Sequence, residues 1–103
     1  MEKVQDTDIF LKKLRLNCMI LIKKKNNEEF EVQLKYKVET KHQVFFSETY
    51  FSKFQGKNSK IQIIRKSFEF LLQRESNEQI LTKFNLEIIN NYFPDYEKEF
   101  KIK

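Results

Sequence analysis

Between residues 14 and 38 apolar and polar side chains alternate with a period of two. Leu14, Leu16, Cys18, Ile20 and Ile22 form one run, and Phe30, Val32, Leu34, Tyr36 and Val38 the next. Such alternation sends successive side chains to opposite sides of a β-strand, so the runs predict two strands with even-numbered residues toward the core. The turn between them must keep that parity, because a slip of one position would turn a strand inside out. A two-residue turn at Asn26 and Asn27 fails, since it sets Ile22 against Glu31. A three-residue loop, Lys25-Asn26-Asn27, pairs Ile22 with Phe30, Ile20 with Val32 and Cys18 with Leu34, and sets Lys23 opposite Glu29 and Lys13 opposite Glu39. A third strand is predicted over residues 42–46, after a turn near Thr40 and Lys41, with His42 at its solvent-exposed end.

The period then changes. Ser47 is a candidate N-cap for a short helix over residues 48–55, with Phe46 and Phe51 spaced as a hydrophobic staple and Gly56 as its left-handed end. Ser59-Lys-Ile-Gln62 is a capping box opening a long helix over residues 60–74. Ile61, Ile64, Phe68, Leu71 and Leu72 share its core stripe. Ile63 and Phe70 widen the apolar arc beyond what one sheet face needs, so this helix is expected to touch two partners. Ser76 to Gln79 repeats the box before Ile80, Leu81 and Phe84, and Asn85 caps a last helix over residues 86–93, closed by Pro94.

These elements predict a single α+β domain, residues 1–103: a three-stranded antiparallel β-meander with a short helix, one long helix and two short C-terminal helices packed on one face. Residues 1–8 are expected to be a flexible N-terminus and residues 95–103 a tail. The stretch SFEFLLQRESNEQILTKFNLEIINNYFPDYE, residues 67–97, resembles the C-terminal segment of a family of small uncharacterised prokaryotic proteins. That resemblance implies a helical packing unit and no activity.

Composition narrows the chemistry. At 103 residues, with 40% hydrophobic residues and 15 aromatic rings against one Gly and one Pro, the chain suits one ordered core. One cysteine cannot form an internal disulfide, which favours a reducing compartment, the cytoplasm. The longest apolar run is too short to cross a bilayer and no export signal is visible, so no membrane role is expected. A single glycine cannot build a phosphate-cradling loop, and one Cys with one His leaves only scattered carboxylates for a metal. No cofactor, no metal and no catalytic residue are expected. Cys18 reads as a small apolar core residue and the carboxylates as surface groups, so the protein is not expected to be an enzyme.

What remains is a surface. Net charge is +5, and residues 9–60 hold 12 Lys and Arg against 5 Asp and Glu, whereas residues 61–103 hold 7 of each. A/T-rich coding DNA would also yield such a lysine-rich composition. The odd face of the sheet carries Met19, Leu21 and Phe45, and with Ile63 and Phe70 on the helix flank these exceed the needs of a small core. Surplus apolar surface marks a contact, so the leading expectation is an accessory module acting through a protein partner or a homo-oligomer. The second reading is RNA or single-stranded DNA, with Lys13, Arg15, Lys23, Lys35 and Lys37 on phosphates and Phe45 stacking a base.

Overall fold

The computed structural model describes residues 19–36, 38–54, 56 and 58–100. The expectations for residues 1–18, among them Lys13, Arg15 and Cys18, and for Lys37 lie outside the described residues. Four strands form one sheet in the order β1-β2-β3-β4: β1 is Met19–Lys24, β2 Glu29–Lys35, β3 Glu39–Phe45 and β4 Lys83–Asn85. The first three pair antiparallel as expected, and β4 lies parallel to β3. The sheet is therefore mixed and four-stranded, one strand more than the alternation predicts.

Parity survives and register does not. Ile20 faces Leu34, Ile22 faces Val32 and Lys23 faces Glu31, two residues from the expected pairing. The cause lies in the hairpin. Asn26 Oδ1 accepts from the Glu28 N–H at 2.9 Å, and the Lys25 and Asn26 N–H groups both donate to Glu29 O, at 2.9 and 3.2 Å. An Asn side chain bonded two residues on replaces a backbone turn, which draws Glu28 into the loop. Because the shift is an even number, apolar still faces apolar.

The second turn also moves, from residues 40–41 to the stretch between the paired Lys35 and Glu39. Buried Asn77 donates to Val38 O at 2.9 Å and to Thr40 Oγ1 at 3.2 Å, tying the turn to a distant segment. Val38 is consequently 40% exposed instead of turned inward.

Helix α1, Glu48–Phe51, starts at Ser47, whose Oγ accepts from Tyr50 N–H at 3.0 Å; it is shorter than its pattern predicts. Gly56 has φ of +100°, the left-handed region where a side chain would be strained. Helix α2, Lys60–Leu72, shows the predicted capping box: Gln62 N–H donates to Ser59 Oγ at 3.2 Å and Ser59 N–H to Gln62 Oε1 at 2.7 Å.

Helix α2 does touch two partners. Phe68 lies against the even face of the sheet, its ring 5.6 Å from His42 and 6.0 Å from Phe84. Phe70 meets the C-terminal segment, 6.1 Å from Phe93 and 5.3 Å from Tyr96. Ile61, assigned to the core stripe, is instead 37% exposed. Residues 95–100, expected as a tail, form helix α4, Tyr96–Glu99, and fold back. The Tyr96 ring is fully buried, with its hydroxyl 2.6 Å from Ser67 Oγ. Phe100 packs on Tyr96 and on Phe54.

The segment expected to hold the first C-terminal helix behaves differently. Asn77–Gln79 makes one 3₁₀ turn, residues 80–82 lead through bends at Ile80 and Thr82 into β4, and a helix begins only at residue 86, as a 3₁₀ turn leading into α3, Ile89–Tyr92. Phe84 pairs with Val44 along the parallel ladder. Its burial is satisfied by strand and helix alike, and tertiary pairing decides.

Candidate functional site: an apolar cleft at the C-terminal end of the long helix

The departure from the helical pattern opens a cleft of about 170 Å³. Leu71 and Glu75 form one wall at the end of α2, and Ile80 and Leu81 form a second where the chain turns toward β4. Ile88, Ile89 and Tyr92 close it from the last helical segment. Leu71, Ile80 and Ile89 are buried at its base, whereas Leu81 is 45% and Tyr92 62% exposed at its rim. A dry cavity of about 150 Å³ with aliphatic and aromatic walls accepts a benzene-sized group, so this cleft has room for one bulky apolar side chain.

Its polar lining is sparse. The Gln79 Oε1 is occupied by the Ser76 N–H at 3.1 Å. Glu75 is held by its backbone, whose N–H donates to Leu71 O at 2.9 Å, and its carboxylate forms no ion pair or hydrogen bond among the described residues. Burial raises its pKa above the ordinary carboxylate value. Arg74 is turned away: its guanidinium stacks 3.5 Å from the Phe70 ring centroid and bonds Phe70 O at 3.0 Å and Asp95 Oδ2 at 2.9 Å.

Neither the cleft nor Glu75 was among the candidates the sequence supplied. A signal existed: Ile88 and Tyr92, four apart, form an apolar stripe beside Leu86, Ile89 and Phe93, more than one buried helix face requires.

The expected contact residues are dispersed. Ile63 and Phe70 are 1% and 6% exposed, part of the core, and offer nothing to a partner. Met19 and Leu21 are exposed, 56% and 41%, on the outer edge of the sheet. Phe45 is not their neighbour. It pairs across with Glu29 and Asn85, while Leu21 pairs with Gln33 and Met19 with Lys35, so Phe45 sits two strands away and near the other end of the ladder. It is half-buried, with Lys83 Nζ 5.9 Å above its ring. The apolar centre expected on this face divides into two separate spots.

The same face is less basic than the alternation implies. Lys23, Lys35, Lys41 and Lys83 share it with Glu29, Glu31 and Glu39. Lys25 lies 3.9 Å from Glu29, and Lys41 lies 4.0 Å from Glu31; Glu29 also accepts from Gln43, and Glu39 from Gln33. A hollow of about 290 Å³ lies here, lined by Lys25, Glu31, Lys41 and Gln43 among others. Its cations are already matched by carboxylates, which lowers the potential a phosphate would feel.

The remaining ionisable groups of the interior serve the fold. His42, expected in solvent, is 1% exposed, since position 42 belongs to the inward even set. Its Nδ1 is 2.7 Å from Leu81 O and its Nε2 2.9 Å from Thr40 Oγ1. A carbonyl only accepts, so Nδ1 carries the proton and Nε2 receives the Thr40 hydroxyl. Burial lowers the pKa of this imidazole and outweighs the opposing Leu81 bond. Tyr50 and Tyr96 are pushed upward, chiefly by burial, with the Tyr50 hydroxyl donating to Glu97 at 2.9 Å. Among the described residues no three metal-ligating side chains converge, and no helix is long and apolar enough to cross a membrane.

No family model matches the chain, and neither a curated protein nor a solved structure matches it. The resemblance noted in residues 67–97 therefore lends the cleft no assignment.

Proposed function

We propose that this protein is a small non-enzymatic binding module that acts through protein association, with the cleft beside α2 as its contact. The observation that carries this reading is the pairing of a preformed apolar cleft with exposed apolar residues on its rim, Leu81 and Tyr92. Apolar surface that stays exposed when the rest of a small core is closed is favourable to cover. In support, four polar groups of the described interior are engaged elsewhere: the His42 imidazole, the Ser67 hydroxyl and the Tyr50 and Tyr96 phenols each have a bonded partner. RNA or single-stranded DNA is the weaker reading, because glutamates alternate with the described lysines of the sheet.

Selection of a random peptide library against the purified protein tests this directly. Selected sequences should share one bulky apolar residue and bind at least tenfold more weakly to Leu81→Asp, a substitution at an exposed position, while Leu21→Asp leaves them unaffected. Equal binding to Leu81→Asp refutes the cleft as the contact. Oligonucleotide binding that falls steeply with salt and is lost in Lys35→Glu would place function on the sheet instead.

A further inference from the structure

A cleft that accepts an apolar group leaves open what accompanies that group, and here charge decides. Glu75 lies three residues past Leu72, the end of α2, where the helix presents a partial negative charge. Its carboxylate has no partner among the described residues, and neighbouring Arg74 is committed to Phe70 O and to Asp95. The surrounding stretch has the same sign: residues 75–92 contain three glutamates and one lysine, in a protein whose net charge is +5. One wall of an otherwise apolar opening is thus the place where a cation gains most.

We propose that the cleft recognises a peptide segment in which one phenyl- or leucyl-sized side chain, seated between Leu71, Ile80 and Ile89, is followed by a lysine or arginine that pairs with the Glu75 carboxylate. This deepens the association reading and rests on it. A segment of chain fits better than a free small amine, because Leu81 and Tyr92 extend the apolar surface past the cavity mouth and a single ring would leave both uncovered. Apolar burial supplies the affinity and the charge pair the selectivity. The raised pKa of Glu75 agrees with a carboxylate short of solvent and short of a counter-ion.

Three acetylated, amidated heptapeptides differing at two central positions separate the parts: Phe-Lys, Phe-Glu and Ala-Lys within a common Gly/Ser frame. Binding is read by fluorescence anisotropy and by amide shifts of the full-length protein. Phe-Lys should bind about fivefold more tightly than Phe-Glu, the range open to a partly exposed charge pair. Ala-Lys should not bind measurably. In Glu75→Gln, whose backbone bond to Leu71 is unaltered, the two Phe peptides should become equal. Equal binding of both Phe peptides to the wild type, with Ala-Lys silent, overturns the charge pairing and leaves the association reading intact. Absence of any dependence on Phe overturns both. Amide shifts confined to β1 and β2 would show the lysine-bearing peptide on the sheet glutamates and overturn the assignment to Glu75.

Discussion

Replacing Lys60 with methionine should destabilise the protein far more than any other lysine replacement on α2. Its ammonium, on a side chain only 10% exposed, meets three acceptors at once: Asn27 O at 2.7 Å, Phe46 O at 2.9 Å and Glu48 Oε2 at 2.6 Å. It also lies 5.5 Å from the Phe46 ring and 5.6 Å from that of Phe51. One side chain thereby joins the first hairpin, the end of β3, the start of α1 and the start of α2. Methionine keeps the aliphatic stem and deletes only the charge and its donors, which isolates the polar contribution.

The three bonds are not equivalent. Asn27 O is exposed and regains water, and the Glu48 side chain is 66% exposed, so each contributes little. The Phe46 carbonyl is partly buried and loses a charge-assisted donor, a change of about 1.5–3 kcal/mol, and the two rings add about 0.5–1 kcal/mol. The expected loss is about 2–4 kcal/mol, a large share of the roughly 5–15 kcal/mol that holds a small domain together. In urea this should move the midpoint by about 1–2 M at an unchanged slope. Lys66→Met, on an exposed face of the same helix, should fall within about 0.5 kcal/mol of wild type. A Lys60→Met loss no greater than that of Lys66→Met refutes the convergence described here. A double-mutant cycle with Glu48→Gln should assign less than about 1 kcal/mol to the ion pair.

His42 makes stability depend on pH with a definite sign: its folded pKa lies below 6.5, so under mildly acidic conditions the unfolded chain binds more protons. Stability should be unaffected by this group above about pH 7.5 and decline as pH falls through 6.5, and a wild type that loses no more than His42→Gln between pH 7 and pH 5 contradicts the buried neutral imidazole. Tyr96→Phe should cost only about 0.5–1.5 kcal/mol, because Ser67 keeps its bond to Ile63 O, whereas Tyr96→Ala should cost about 3–5 kcal/mol through the cavity it leaves. Chemical denaturation giving equal costs for the two would show that the phenol oxygen, and not ring burial, anchors the C-terminal segment.

The legibility of this fold follows the range of the forces involved. Strand parity, the Ser59 capping box and the α2 stripe are set by residues within one turn or one hairpin, and the sequence exposes them. The hairpin register departs from expectation because an Asn side chain can move the loop one residue along the chain, a register change of two that leaves the apolar match intact. The second turn and His42 depart from expectation because their partners, Asn77 and Leu81, lie 37 to 39 residues away along the chain, in a segment whose spacing predicts a helix. The cleft was invisible for the same reason. Its walls come from segments whose packing depends on one another, and Glu75 has meaning only once Arg74 is known to turn away.

That shared cause connects the architecture to the proposed activity. Had residues 76–84 formed the helix their spacing allows, Leu81 would have shared a face with Phe84 or turned to solvent alone, and no cavity would separate α2 from the last helical segment. Pairing of Val44 with Phe84 instead draws Lys83–Asn85 out as a strand, and the Thr82 carbonyl accepts from Gln43 N–H at 2.7 Å on the way. An extended segment has less side-chain bulk per unit length than a helix, because its rise per residue is about 3.3 Å against 1.5 Å. The gap between α2 and α3 is therefore a geometric consequence of the parallel strand. A change that weakens β4, such as loss of the His42 bond to Leu81 O in His42→Phe, should deform the cleft along with the edge of the sheet, so peptide affinity and sheet stability ought to decline together in that variant.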